Sequence, residues 1–168
     1  DVTTDESELR FRMDSHAWRF AVTKGGRDDL SFIGFEVTDA AALAAVAQQL
    51  KTIGVETTQD KALAKHRGVS DLLKCADPSG TAVEIYYGAT EVFPEPLRSP
   101  AGVQGFVTGD QGLGHLVLYS GDVAAALKFY QQGLGFRLSD NIDMALSPEF
   151  SLELTFLHCN PHQHTLAL

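Results

Sequence analysis

Basic residues are scarce in this 168-residue chain, and long apolar runs are missing. Its 13 lysines and arginines are outnumbered by 22 aspartates and glutamates, so the formal net charge is -9. An acidic chain without a local basic cluster repels phosphate backbones, which argues against nucleic-acid binding. No apolar run is long enough to span a membrane, and no basic segment followed by an apolar one marks a secretory signal. We therefore expect no membrane association.

Cysteine is represented only by Cys75 and Cys159. The two residues have no partners at the spacings of disulfide frameworks or cysteine-rich metal sites, which favours a reducing compartment and predicts a cytoplasmic protein. Nucleotide-binding and nucleophile motifs are missing as well. Gly112-Leu113-Gly114 lacks the third glycine of a dinucleotide fingerprint, and it precedes a strand pattern rather than a helix.

The hydrophobic fraction of 44% is high enough for a packed core. The chain begins at Asp1 without a methionine and stops at Leu168 within an alternating strand pattern. Because a domain seldom ends on a core strand, we expect a fragment that is truncated at both ends. The sheet edges that such a fragment exposes favour association with other chains, so a homo-oligomer is expected.

The order strand, helix, strand, strand, strand is predicted twice along the chain, which indicates an α+β fold of duplicated βαβββ modules. The first cycle comprises a strand at 31–37, a helix capped by Thr38 or Asp39 that runs to about Leu50 or Ile53, an extended segment at 55–57, an ambiguous segment at 62–66, and strands at 72–76 and 82–87. The second comprises a strand at 114–119, a helix from Asp122, an extended segment at 136–138, and strands at 152–159 and 165–168.

A hairpin at residues 9–22 precedes the first cycle and would be the remnant of an earlier module without its opening strand and helix. Between the two cycles the pattern fades over residues 91–109, where prolines and glycines are frequent. We therefore predict an N-terminal domain at 1–100, with its first strand and helix missing. Residues 101–168 would be the first module of an incomplete second domain.

His115 is the first candidate for chemistry, because it lies in the apolar strand pattern 114–119. Strand alternation places His115, Val117 and Tyr119 on one face, with Leu116 and Leu118 on the other. A neutral imidazole is the commonest metal ligand, although a histidine with one satisfied hydrogen bond fits the same pattern.

A second candidate region lies around the turn Asn160-Pro161, since half of the six histidines fall within residues 158–164. This density is typical either of a functional cleft or of a solvated turn. Alternation places His164 on the same face as Leu166. Glu84 could be a carboxylate ligand in the first cycle, but strand 31–37 has no histidine to join it, so a solvent-facing or structural glutamate is favoured.

Several motifs together are typical of one enzyme family. They are Thr108-Gly109-Asp110-Gln111-Gly112-Leu113-Gly114-His115, Leu134-Gly135-Phe136, Phe156-Leu157-His158-Cys159-Asn160, His164-Thr165-Leu166-Ala167, Ala76-Asp77-Pro78-Ser79-Gly80 and Glu84-Ile85-Tyr86-Tyr87. With them, nearly the whole chain resembles type I extradiol ring-cleavage dioxygenases, including those that act on 2,3-dihydroxybiphenyl. The resemblance implies the vicinal oxygen chelate fold, in which paired βαβββ modules form a non-catalytic N-terminal and a catalytic C-terminal domain.

The resemblance also implies a mononuclear non-haem Fe(II) held by two histidines and one carboxylate, an arrangement that leaves positions open for a catechol and O₂. His115 would be the first ligand, and the second histidine and the glutamate would follow beyond Leu168. We therefore expect this segment to be inactive by itself. His164 matches the acid–base histidine of the family, whose imidazole both accepts and returns a proton.

Val117, Met144 and Phe156 resemble positions that line the substrate pocket, whose wall is apolar because a second aromatic ring has no polar group. One position departs from the family: Gln163 replaces a histidine before His164 and cannot exchange protons. The implied function is ring cleavage of a catechol such as 2,3-dihydroxybiphenyl by O₂, in the degradation of aromatic compounds. Two alternatives stay open: a glyoxalase-like isomerase of the same fold, and a metal-free module that binds an aromatic ligand.

Overall fold

The protein was analysed as a computed structural model, which describes residues 2–5, 7–26, 28–93, 100–109 and 112–168. The N-terminal sheet is antiparallel and contains β1 (Val2–Asp5), β2 (Glu8–Phe11) and β3 (Phe20–Thr23), in that order. Strands β2 and β3 confirm the hairpin predicted at 9–22, whereas β1 was not predicted from the sequence.

The second sheet belongs to the first βαβββ module. Its elements are β4 (Ile33–Glu36), α1 (Ala40–Thr52), β5 (Thr58–Gln59), α2 (Lys61–Arg67), β6 (Asp71–Ala76) and β7 (Ala82–Tyr87). The strand order is β4-β7-β6-β5, and β4 and β7 are parallel while the other pairs are antiparallel. The module's first strand therefore lies beside its last.

The third sheet repeats this arrangement. Its elements are β8 (Leu116–Val117), α3 (Val123–Leu127), a π-helical continuation at Lys128–Gly133, β9 (Arg137–Ser147), β10 (Phe150–His158) and β11 (Leu166–Ala167). The strand order is β8-β11-β10-β9, again with the first and last strands parallel. The predicted duplication of βαβββ modules is therefore confirmed.

Equivalent residues of the two modules lie 83 positions apart in the sequence. The Asp39 carboxylate accepts a hydrogen bond from the third residue of α1, and Asp122 does the same for α3. In the β6–β7 turn, Asp77 Oδ1 accepts from the backbone N–H groups of Ser79 and Thr81. At the matching position, Asn160 Oδ1 accepts from the N–H of His162, so both hairpins use the same type of side-chain-stabilised turn.

Several boundaries differ from those predicted. Strand β8 contains two residues instead of the six predicted at 114–119. The extended segment expected at 55–57 is displaced, because the short strand β5 begins only at Thr58. The ambiguous segment at 62–66 is helical, since Asp60 caps α2 and Gly68 ends it at a φ of 74°. The long strand β9 was missed over 139–147, although the alternation of Ile142, Met144 and Leu146 would have predicted it.

One hydrophobic core is shared by the two modules. It contains Ile33, Leu43, Leu50, Leu73, Val83 and Ile85 from the first module, with Ala126, Phe129, Tyr130, Phe136, Leu157, Leu166 and Leu168 from the second. The rings of Phe35 and Phe136 pack edge to face across this junction, with centroids 5.2 Å apart. The domain boundary at residue 100 stays a prediction, and residues 94–99 of the expected linker lie outside the described residues. None of the described helices is both long and apolar enough to cross a membrane.

A buried hydrogen bond also joins the modules, because the Tyr130 hydroxyl donates to Asp77 Oδ2 at 2.9 Å. Burial raises the pKa of the Tyr130 phenol above its ordinary value, and the neighbouring Asp77 carboxylate raises it further. The hydroxyl therefore stays protonated and remains a donor at neutral pH.

Replacing Tyr130 with phenylalanine is expected to lower the free energy of unfolding by about 1–3 kcal/mol, because a buried carboxylate oxygen loses its donor. Urea denaturation at neutral pH measures the change. Tyr119→Phe is the matched control, since this tyrosine is 91% exposed and its variant should keep wild-type stability. Equal stabilities for the two variants would contradict the role given to the hydrogen bond.

Candidate functional site

The two faces of the third sheet have different environments. Leu116, Leu166 and Leu157 are neighbours across β8, β11 and β10, and this row faces the core. The adjacent row contains Val117, Ala167 and Phe156 and lies on the opposite face. Leu116 and Leu118 are partly buried against the core, whereas His115, Val117 and Tyr119 are exposed. The alternation predicted for this segment is therefore confirmed.

Three of the predicted site residues lie together on the face that carries Val117. The imidazole centroids of His115 and His164 are 4.5 Å apart, and the His164 ring lies 4.9 Å from that of Phe156. This placement corrects the expectation that His164 shares a face with Leu166, which is fully buried in the core. Alternation fails because β11 begins only at Leu166, so His164 lies in the irregular segment before that strand.

The other two predicted site residues are Val117, which is largely exposed to solvent, and Met144, which lies farther from the histidine pair. Val117 is 60% exposed and lies beside Ala167 on the same face as His115. Met144 pairs with Leu152, four residues before Phe156, which places it about 13 Å along the ribbon from that ring. The structure thus brings His115, His164 and Phe156 together and leaves Met144 at the distal end of the same apolar face.

Gln163, the position that departs from the family motif, is hydrogen-bonded to His164. Its Oε1 is the partner of His164 Nδ1, and a carbonyl oxygen only accepts, so Nδ1 carries the proton. This placement of the proton belongs to the amide orientation of the structure, in which the Gln163 oxygen and not its nitrogen faces the ring. In this tautomer, Nε2 of the neutral imidazole has a free lone pair and can accept a proton.

The donor set for a metal is incomplete in the described part of the chain. Among these residues, no group of three histidines, cysteines, aspartates or glutamates is arranged to hold a metal ion. His115 has an exposed ring and fits the role of one nitrogen donor. A site of two histidines and one carboxylate therefore needs further donors that the described residues do not supply.

In the first module, a different group occupies the place that corresponds to the histidine site. Phe32 is 83 positions before His115, and the Arg67 guanidinium stacks on its ring at 3.8 Å. Arg67 also donates two hydrogen bonds to the carboxylate of Glu84, at 2.8 and 2.9 Å. Glu84 is therefore the structural glutamate that the sequence favoured, because a guanidinium already neutralises it.

A cavity of about 1230 Å³ lies between the N-terminal hairpin, the second sheet and the segment around the start of β8. Its wall includes Trp18, Arg19 and Tyr86, and His115 lies at its border, whereas His164 and Phe156 do not line it. None of these three residues was predicted as part of a site from the sequence. The one indication in the sequence is that Trp18 and Arg19 follow Asp14 closely in the turn of the hairpin.

Breaking the Arg67–Glu84 pair is expected to destabilise the protein strongly. Both side chains are about nine-tenths buried, so Arg67→Met leaves an uncompensated carboxylate and should cost about 3 kcal/mol of unfolding free energy. The double variant Arg67→Met/Glu84→Gln should recover part of this loss in chemical denaturation. Lys74→Met is the control, because its pair with Asp60 is much more exposed and should contribute little to stability. Equal losses for the Arg67 and Lys74 variants would contradict the argument.

Asp14 makes the stability dependent on pH. Burial opposes its ionisation, but hydrogen bonds from Arg19 and from the backbone N–H of His16 outweigh burial and hold the pKa of Asp14 below 3.8. A lowered pKa in the folded state contributes stability above the unfolded value, and this contribution is lost as the pH falls through the folded value.

We therefore expect the free energy of unfolding to decrease on acidification below about pH 4, and to decrease less in Asp14→Asn. Urea denaturation at about pH 6 and at about pH 3 compares the two proteins. Their difference in stability should shrink at the lower pH, and an unchanged difference would show that Asp14 is not responsible.

Comparisons with known proteins agree with this architecture. The family model described as Glyoxalase/Bleomycin resistance protein/Dioxygenase superfamily matches residues 112–168, which form the second βαβββ module. A solved structure of a catechol 2,3-dioxygenase has a TM-score of 0.83 at 32% identity, and the match covers 98% of this chain and 58% of that chain.

Two relatives match almost the full length of this chain. Biphenyl-2,3-diol 1,2-dioxygenase of Metapseudomonas furukawaii is 53% identical over 99% of the chain and 55% of the relative. The 3-methylcatechol 2,3-dioxygenase of Pseudomonas putida is 48% identical over 99% of the chain and 58% of the relative. The chain thus spans about half the length of the curated relatives it matches. Residues 112–168 thus match the Glyoxalase/Bleomycin resistance protein/Dioxygenase superfamily, and nearly the whole chain is similar to dioxygenases named for biphenyl-2,3-diol and 3-methylcatechol.

Proposed function

We propose that the chain forms part of the active site of an extradiol dioxygenase that cleaves a catechol such as 2,3-dihydroxybiphenyl. The main supporting observation is that the His164 ring lies against the rings of His115 and Phe156 on one face of the sheet. The names of the relatives support the substrate class, because biphenyl-2,3-diol and 3-methylcatechol are both catechols. Since the chain covers about half of those relatives, the activity is proposed for the native polypeptide as a whole.

The proposed reaction adds both atoms of O₂ to the catechol and breaks the ring bond beside the two hydroxyl groups, giving a 2-hydroxy-6-oxo-dienoate. It needs no further oxidant or reductant, because the four electrons that O₂ accepts come from the ring. A bound ferrous ion would supply the path for these electrons. In this proposal His115 is one iron ligand, and the remaining protein donors come from outside the described residues.

The proposed role of His164 is proton transfer. Gln163 accepts from Nδ1, so Nε2 is the basic nitrogen, and the ring lies against His115. A substrate hydroxyl near His115 is then within reach of a base, and the same nitrogen can return the proton when the ring opens. Gln163 would act as a hydrogen-bond acceptor that fixes the tautomer of His164, without exchanging protons itself.

The proposed substrate contacts are apolar. Phe156 and Val117 belong to one cross-strand row, and Met144 extends the same face toward the distal end of the β9–β10 ribbon. An aromatic substituent of the catechol has no polar group, so burial against such a wall would be its main source of binding energy. Met144 at the far end would contact a second ring rather than the catechol itself.

Two broader expectations complete the proposal. The protein would act in the cytoplasm, in the breakdown of aromatic compounds, and the sparse cysteine content supports a reducing compartment. It would form a homo-oligomer, which is supported by exposed apolar side chains on the β9–β10 ribbon, among them Ile142, Met144 and Phe150.

Assays of the native polypeptide test this function. With Fe(II), O₂ and 2,3-dihydroxybiphenyl, we expect a yellow dienoate product that is lost after iron chelation. His164→Ala should keep its iron but lose about 10²- to 10⁴-fold in kcat, because the proton acceptor is gone. His115→Ala should lose the iron. Iron content is measured by metal analysis and turnover by absorbance.

The outcomes separate the alternatives. His162→Ala is the matched control, since this histidine follows the same turn but makes no ring contact with His115. Full turnover in His164→Ala would show that another group moves the proton. Isomerase activity without dienoate would favour the glyoxalase-like alternative, and iron-independent binding of the aromatic compound without turnover would favour a binding module.

A further inference from the structure

A buried arginine in the N-terminal hairpin is held in a fixed orientation. The Arg19 side chain is 16% exposed, and its Nε and Nη2 both approach Asp14 Oδ2, at 2.8 and 2.6 Å. Its backbone N–H donates to Phe11 O at 2.8 Å. Charge-assisted hydrogen bonds of this kind restrain both the position and the plane of a guanidinium.

A second set of contacts ties this guanidinium to the first module. Arg19 Nη2 lies 3.1 Å from His16 Nδ1, and since arginine can only donate, His16 Nδ1 accepts. The proton of the neutral His16 ring is then on Nε2, which donates to Glu36 Oε2 at 3.0 Å. Glu36 is the last residue of β4, so the second sheet supports the orientation of Arg19.

Gly112 lies close to the guanidinium. A Cβ placed on Gly112 would be 3.3 Å from Cζ, Nη1 and Nη2 of Arg19, and these three equal distances put it over the outer edge of the planar group, between the two Nη atoms. Gly112 also has a φ of 66°, which L-amino acids with a side chain rarely adopt. Both the backbone conformation and the close approach therefore require glycine at this position.

His115 follows Gly112 by three residues, at the point where β8 begins. On its other side, the Leu116 N–H donates to Thr165 O at 3.1 Å and starts the parallel pairing with β11. Between these two contacts, Gly114 has nothing within 4 Å of the position that its Cβ would occupy. The chain before His115 therefore passes close to Arg19 at Gly112, and the chain after it is paired with β11.

We propose that Arg19 is a positioning residue for His115. The flat guanidinium supports Gly112, and this support sets the direction from which the chain enters β8 and hence the placement of the His115 ring beside His164. The inference deepens the proposed function, on which it rests for the identity of His115 as an iron ligand. Arg19 itself touches neither His115 nor the sheet face that carries the histidine pair.

The first test needs neither metal nor turnover. In the metal-free native polypeptide, the nuclear Overhauser contact between the His115 and His164 ring protons should be strong in the wild type and weakened in Arg19→Met and Gly112→Ala. Two controls should keep it. Arg10→Met removes an arginine of the same hairpin that is similarly buried and is paired with Glu8 at 2.6 Å, but whose guanidinium stacks on Trp18 instead of approaching Gly112. Gly114→Ala adds a methyl group where there is open space.

The second test measures Fe(II) affinity by anaerobic competition with a chelator. Arg19→Met and Gly112→Ala should bind iron about 10- to 100-fold more weakly, which is typical of losing a group that orients a ligand, while Arg10→Met should bind as tightly as the wild type. Melting temperatures of the metal-free variants are recorded in parallel. A lower melting temperature with an unchanged ring contact and unchanged affinity would show a merely structural arginine and overturn the proposal.

The remaining outcomes are also decisive. If Arg19→Met does not fold, Gly112→Ala disturbs the same contact from the other side and decides the question. If the wild type binds no Fe(II), the proposed function fails, whereas the ring contact still shows whether Arg19 positions His115. Unchanged ring contacts in both variants would overturn the proposal even in an active dioxygenase.

Discussion

The parallel pairing of the first and last strands of each module is the constraint on which the site depends. In the second module, the N–H groups of Leu116 and Leu118 donate to the backbone oxygens of Thr165 and Ala167, at 3.1 and 2.9 Å. This pairing brings His115 beside His164, which is 49 positions later in the sequence. Parallel neighbours cannot be joined by a tight turn, so the chain between them forms the helix and hairpin of a βαβββ module.

The two modules show how one backbone arrangement supports different chemistry. Both have the strand order in which the first strand lies beside the last, and both cap their first helix with aspartate. In the first module Phe32 corresponds to His115, and the Arg67 guanidinium covers that ring and pairs with Glu84. In the first module the Arg67 guanidinium therefore pairs with the Glu84 carboxylate, whereas in the second module His115 and His164 lie open on the sheet face. The two modules therefore differ in their side chains and not in their topology.

The site also depends on contacts between residues that are far apart in the sequence. The core of the first module packs against Tyr130 and Phe136, and the Tyr130 hydroxyl is hydrogen-bonded to Asp77. The N-terminal hairpin approaches the segment before β8 where Arg19 lies close to Gly112. The first half of the described chain is therefore part of the support for the histidine pair. Residues far from any reacting group can therefore affect the placement of the histidine pair.

The sequence by itself determined the features that depend on near neighbours: the helix that begins after Thr38 or Asp39, the faces of the strand that carries His115, and the repeat with its two proline turns. Periodicity, capping and turn chemistry act over a few residues, so a sequence displays them. Only the tertiary structure decided that β8 is two residues long, that His164 turns away from Leu166, and that Arg67 and Arg19 have their partners at Glu84 and Asp14. These outcomes depend on strand register and on long-range packing, which local patterns do not encode.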